Sequence, residues 1–99
     1  MQVELAGLSF RPKEAKDLVA TLVESADLAL EMEADNPYDP YAVRVIHPST
    51  EIFIGYVPRN FSAKIFCKLA MGKRLSCRIL TPDPKKPTLL IEEDRKSVV

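Results

Sequence analysis

Eight prolines, at positions 12, 37, 40, 48, 58, 82, 84 and 87, cut this chain into short pieces. Proline holds its own φ, lacks an N–H and biases the preceding residue toward extended backbone. Each proline cluster therefore ends a strand or opens a helix. The pieces between them mostly alternate apolar and polar residues, the period of a half-buried strand. Residues 2–10 (QVELAGLSF) place Val3, Leu5 and Gly7 on one face, and Arg11-Pro12 ends them. Residues 26–33 (ADLALEME) alternate strictly, with Leu28, Leu30 and Met32 inward and Asp27, Glu31 and Glu33 outward. Residues 41–46, 51–57, 74–80 and 88–93 read as four further strands, the 74–80 segment turning Leu75, Cys77 and Ile79 to one side. Gly55 interrupts one of them, which predicts a bulge or the close approach of another chain segment.

Two segments break the alternation. Ala15, Leu18, Val19, Leu22 and Val23 form an i, i+3, i+4, i+7, i+8 stripe, so residues 13–25 read as an amphipathic helix with Pro12 tolerated in its first turn. Phe61, Ile65, Phe66, Leu69 and Ala70 make a second stripe. The Pro58-Arg59-Asn60 run opens that helix with Asn60 as its cap, and Gly72 closes it in the left-handed position. The expected fold is mainly β with two helices, in the order β-α-β-β-β-α-β-β: a small six-stranded antiparallel barrel, nearly closed. Residues 1–99 make one domain, with 94–99 as a frayed tail.

Composition narrows the function. Hydrophobic residues are 46% and charged residues 28%, ordinary for a globular domain. No apolar run approaches the ~20 residues of a membrane span, and the N-terminus lacks the basic start and apolar stretch of a secretory signal. A cytoplasmic protein with no membrane partner is expected. Cys67 and Cys77 are too few for a disulfide scaffold or a zinc site. Cys67 reads as a packed thiol, and the single histidine, His47, as an exposed turn residue. Neither a phosphate-cradling glycine loop nor a marked pair of carboxylates occurs, so the reading is non-enzymatic, without cofactor or metal.

Fourteen Lys and Arg balance fourteen Asp and Glu. A protein that coats long nucleic acid carries a basic excess, so any such contact here is local. The balance hides an asymmetry. Residues 56–88 hold one acid, Asp83, against Arg59, Lys64, Lys68, Lys73, Arg74, Arg78, Lys85 and Lys86. The second half thus offers a basic rim.

The most informative stretch is Asp35-Asn36-Pro37-Tyr38-Asp39-Pro40. Asp, Asn and Pro are ordinary turn residues. Here they carry an amide, a carboxylate and an aromatic ring on a backbone stiffened by two prolines, so these groups lose little freedom on meeting a ligand. Together with Ala6-Gly7-Leu8-Ser9-Phe10, the following Tyr41-Ala42-Val43-Arg44-Val45 and the later Ile54-Gly55-Tyr56-Val57-Pro58-Arg59, the chain resembles the HIRAN domain family from about Val3 to Glu92. No helicase or ATPase region accompanies the match, so a free-standing or excised copy is expected.

The resemblance implies an OB-like barrel that captures the 3′ end of single-stranded DNA, as in fork-remodelling eukaryotic relatives, in a DNA-repair setting. Carried over by position, Phe10 and Tyr38 would hold the terminal bases. Asp39 would accept a hydrogen bond from the 3′-hydroxyl, Asn36 would help fix that nucleotide, and Tyr56 and Arg59 would border the pocket. The alternative is a protein-interaction or regulatory module of a DNA-processing system with little DNA affinity. Ser9, where DNA-binding relatives can carry an arginine, and Asp35, where an amide would be friendlier to a polyanion, favour it.

Overall fold

A computed structural model describes residues 1–93 of the chain. Its strands are β1 (Gln2–Glu4), β2 (Asp27–Glu33), β3 (Ala42–His47), β4 (Ile52–Tyr56), β5 (Leu75–Thr81) and β6 (Thr88–Glu93). Helix α1 spans Lys13–Thr21, helix α2 spans Arg59–Ala70, and a 3-10 turn covers Leu8–Phe10. The expected order of strands and helices is the observed one. The expected tail, 94–99, lies outside the described residues.

All pairings are antiparallel, in the spatial order β1-β6-β5-β2-β3-β4. Strand β2 curls the sheet by changing partners. Asp27 and Leu28 pair with Arg78 and Cys77 of β5, whereas Ala29 to Glu33 pair with β3. The two ends of the sheet meet at one point. Ala6, just past β1, forms a two-way backbone bridge with Tyr56 at the end of β4. The result is a six-stranded OB-like barrel whose last seam is a single residue pair.

The inward positions fill the barrel. Val3, Leu5, Val43, Val45, Ile54, Ile65, Ile79 and Leu89 are all buried, each burial stabilising by about 1.5–3 kcal/mol relative to exposure. Gly55 satisfies both parts of its expectation. Val45 pairs with Gly55 but Ile46 pairs with Phe53, so Ile54 is the extra residue of a bulge in β4. A Cβ on Gly55 would lie 2.5 Å from the Ala6 carbonyl oxygen and 2.9 Å from Leu5 Cδ1. Only glycine lets the N-terminal segment close the seam.

Several local expectations change. The strand expected over 2–10 stops at Glu4. Gly7 then takes a φ of 77°, a left-handed conformation that breaks the alternation and leads into the 3-10 turn. Helix α1 ends at Thr21 rather than residue 25, because Leu22 is extended at its C-terminus. Thr21 Oγ1 turns back to donate to the Leu18 carbonyl (2.7 Å), a side-chain bond that competes with helix continuation. Asn60 is not a cap. It lies inside the first turn of α2, whose cap position is Pro58, and the Pro58 carbonyl accepts from the Phe61 and Ser62 N–H groups.

Met32 is exposed, because it lies beyond the part of β2 that pairs with β5. Cys67 is exposed, not packed: at 100° per residue it lies on the opposite side of α2 from buried Ile65. Cys77 is buried among apolar neighbours, which pushes its thiol up to about 12. His47 ends β3, half-buried, with Nδ1 2.8 Å from Thr50 Oγ1.

Candidate nucleic-acid interface

The turn over residues 35–40 is built on Asn36. Its Oδ1 accepts from the N–H groups of Tyr38 (2.8 Å) and Asp39 (3.0 Å), and its Nδ2 donates to Glu33 Oε1 (2.7 Å) and the Tyr56 hydroxyl oxygen (3.3 Å). The side chain thus replaces two missing backbone partners and ties the turn to the ends of β2 and β4. Asp39 continues the anchoring. Its Oδ1 accepts from the Tyr41 N–H (2.9 Å) and its Oδ2 from the Ser62 hydroxyl (2.8 Å). Ser62 is 1% exposed and belongs to the inward face of α2, so the carboxylate is held from below by a second element.

A polar network lies behind this turn. The Tyr56 hydroxyl donates to Glu33 Oε1 (2.9 Å). Burial first, and the Glu33 hydrogen bond second, push the phenol above its ordinary range and keep it neutral. Glu33 Oε2 lies 3.2 Å from Arg44 Nε, and Arg44 also pairs with Glu31. The Glu31 hydrogen bond is the main reason the guanidinium is held above its usual range, so it stays charged. The Tyr56 ring is braced by Phe53, edge to face at 5.0 Å, and Arg11 stacks on Phe53 at 3.9 Å.

All six residues singled out in the sequence line one hollow of about 800 Å³. Phe10 enters it from the 3-10 turn, Asn36, Tyr38 and Asp39 from the 35–40 turn, Tyr56 from β4 and Arg59 from the start of α2. Asn36 has its amide engaged inside the protein and serves as the frame. Phe10 and Tyr38 are the opposite case, 89% and 83% exposed. Two such rings beside one concavity leave apolar surface uncovered that burial elsewhere would stabilise by kilocalories. Arg59 is exposed at the rim and forms no ion pair with a described residue.

Two contributors were missed in the sequence. Glu33 was assigned to the solvent side of its strand; where β2 ends, that side becomes the wall of the hollow. Ser62 left a signal, since it occupies a position of the α2 apolar stripe three residues before Ile65. A hydroxyl there needs a buried partner, and Asp39 is that partner. Among the described residues no group of three or more His, Cys, Asp or Glu is arranged to hold a metal ion.

Residues 1–93 match the family model of the HIRAN domain. The chain belongs to the HIRAN family. Two solved structures share its fold. One is a Lactobacillus plantarum protein from a structural genomics consortium, 20% identical, covering 93% of this chain and 89% of its own, with a TM-score of 0.84. The other is the HIRAN domain of human HLTF, 12% identical, covering 94% of this chain and 73% of its own, with a TM-score of 0.77. No curated protein matches the sequence.

HIRAN domains are DNA-binding modules, and that coarse function comes with membership. No described helix of this HIRAN domain is long and apolar enough to cross a membrane. The basic excess of residues 56–88 is partly neutralised within the fold, Lys68 pairing with Glu93 and Arg78 with Glu92.

Proposed function

We propose that this HIRAN domain captures the free 3′-hydroxyl end of single-stranded DNA without cleaving it. The observation that carries the reading is the convergence of Phe10 and Tyr38, nearly bare, with the Asp39 carboxylate in one hollow. An aromatic ring stacks on any base for about 1–3 kcal/mol. Two such stacks supply about 2–6 kcal/mol, and a few phosphate contacts, Arg59 among them, bring the total toward the roughly 8 kcal/mol of micromolar affinity on a protein with no net charge.

Asp39 supports recognition of the end group. Each of its oxygens already accepts one internal hydrogen bond, but a carboxylate offers about four acceptor sites. A terminal hydroxyl can donate to one of the remaining sites while the turn stays anchored. A phosphate there, terminal or continuing the chain, meets the charge of Asp39 with Glu33 close by, and is repelled. The two thiols form no disulfide, in keeping with a reducing, cytoplasmic setting and a DNA-processing or repair role.

Fluorescence anisotropy with 3′-hydroxyl, 3′-phosphate and blunt duplex oligonucleotides tests the reading. Binding is expected for the first and strong loss for the other two; equal binding to hydroxyl and phosphate ends overturns it.

A second reading, a protein-interaction module of a DNA-processing system, draws support from exposed Asp35 beside the hollow and from the acids Glu31 and Glu33 that line the adjoining groove. It expects no oligonucleotide affinity and a protein partner recovered on the same face. The Ala6–Tyr56 bridge weighs against one version of it, because β4 meets Ala6 where a partner strand would add.

A further inference from the structure

The end hollow has two neighbours of opposite charge. On one side it shares Glu33, Asn36 and Pro37 with a groove that also carries Glu31 and Asp35, where Arg44 is already paired to Glu31 and Glu33. On the other side it shares Ala6 and Gly7 with a second hollow of about 400 Å³, lined further by Glu4, Ser9, Pro58, Lys85 and Lys86. Lys85 and Lys86 are exposed and form no ion pair with a described residue, Glu4 included.

Their backbone is fixed. Asp83 Oδ1 accepts from the N–H groups of Lys85 (2.8 Å) and Lys86 (3.0 Å), and the buried Pro87 accepts at its carbonyl from the Leu5 N–H (3.0 Å). The lysine pair is thus held against the segment that closes the barrel, next door to the site.

Resting on the reading above, we propose that Lys85 and Lys86 form an exit track that takes the phosphates of the strand leaving the end hollow. A hollow of about 800 Å³ takes a ligand of drug-molecule size, so it accommodates the terminal nucleotides and the rest of the strand must leave across the surface. The groove toward Asp35 repels a phosphodiester. The hollow toward the lysines is the more favourable exit: Glu4 is the single acid of its lining against two bases, and Asp83 beside them has one oxygen turned to the loop backbone. The basic surplus of the second half is placed, in part, where a departing strand needs it. Strand polarity follows: the 3′ end sits between Phe10 and Tyr38, and the 5′ direction runs over Ser9 and Pro58 toward the β5–β6 loop.

The test compares a 3′-hydroxyl dinucleotide with a 5′-labelled 3′-hydroxyl octanucleotide, the dinucleotide read by competition, across a salt series. The proteins are wild type, the K85A/K86A variant and a K73A/R74A control. Lys73 and Arg74 precede β5 whereas the lysine track follows it. Seven strand residues at ~3.3 Å each put them about 20 Å apart, beyond the ~10 Å screening length at 0.1 M salt.

Two single-strand phosphate contacts contribute a slope of roughly −1.4 in log K against log salt. K85A/K86A should lose that slope and the gain from dinucleotide to octanucleotide, while dinucleotide binding and discrimination against 3′-phosphate stay. The control should keep both. An unchanged length gain in K85A/K86A, or an equal loss in the control, overturns the exit track while leaving end capture standing. Wild-type protein that does not distinguish 3′-hydroxyl from 3′-phosphate overturns both.

Discussion

Ala6 and Tyr56 exchange both backbone hydrogen bonds, Ala6 N–H to the Tyr56 carbonyl at 2.9 Å and Tyr56 N–H to the Ala6 carbonyl at 2.8 Å. The pair closes the barrel, and both residues line the hollow that Phe10, Tyr38 and Asp39 share. Closing the fold and forming the site are therefore one event. The Tyr56 ring is held by the seam at its backbone, by Phe53 at its edge and by Glu33 at its hydroxyl.

Gly55→Ala tests the seam. The added methyl would fall 2.5 Å from the Ala6 carbonyl oxygen, and overpacking of that kind costs about 1–3 kcal/mol. For a domain of this size each kcal/mol is worth about 4–8 °C in Tm. Thermal unfolding followed by circular dichroism should show a fall of about 10 °C. A variant melting with wild type shows that the close approach does not constrain the fold.

Tyr38→Ala and Phe10→Ala separate binding from folding. Both rings are almost wholly exposed, so each variant should melt within about 2–4 °C of wild type, the span of a surface change of about 0.5 kcal/mol. Each should weaken oligonucleotide binding by about 1–3 kcal/mol, the value of one base stack. Anisotropy titrations beside melting curves read both quantities, and unaltered affinity in both variants removes stacking from the mechanism.

Asp39→Asn probes the end group with little change in shape. The amide oxygen can still accept from the Tyr41 N–H. The Ser62 hydroxyl, 3.0 Å from the Arg59 carbonyl, can redirect its proton there and accept from the new amide. With its charge gone, the site should tolerate a 3′-phosphate better, so the ratio of 3′-hydroxyl to 3′-phosphate affinity should fall several-fold. An unchanged ratio assigns the discrimination to another group.

Alkaline pH should destabilise the domain through Cys77. Its folded pKa is raised from 9.0 to about 12 by burial, so the unfolded thiol ionises first. The stabilisation is fully present below pH ~9 and is lost as pH rises from there toward 12. Between pH 9 and 10.5 the loss is about 2 kcal/mol, at 1.36 kcal/mol per unit. Tyr56, also raised, adds to the fall above pH ~10. Cys77→Val should flatten the pH 9–10 part of the curve in denaturant titrations, and an equally steep decline in that variant locates the titration elsewhere.

The features legible beforehand are those governed by near neighbours in the chain. Period-2 alternation places a residue on one face of its own strand whatever the strand pairs with, so Leu75, Cys77 and Ile79 share one side as expected. Gly72 has the left-handed φ, 79°, that a helix end asks for. The Asn36 turn is bonded mostly within its own few residues, and its proline-stiffened chemistry is visible as a motif. Helix ends were less legible. Asn60 and Val23 fit a cap and an apolar stripe, but Pro58 and the extended Leu22 set the actual boundaries.

By itself, then, the order of residues determined which segments become strands and where most turns fall, and it marked the six side chains that line the hollow. Only the tertiary structure decided how those parts serve it. Glu33 became a wall because β4 brought Tyr56 to it, and Ser62 became the support of Asp39 because α2 packs beneath the turn. Cys67 became an exposed thiol because of which side of α2 meets the sheet. Each of these outcomes depends on contacts between residues far apart in the chain, whose geometry is set by the closure of the whole sheet and not by any local run of sequence.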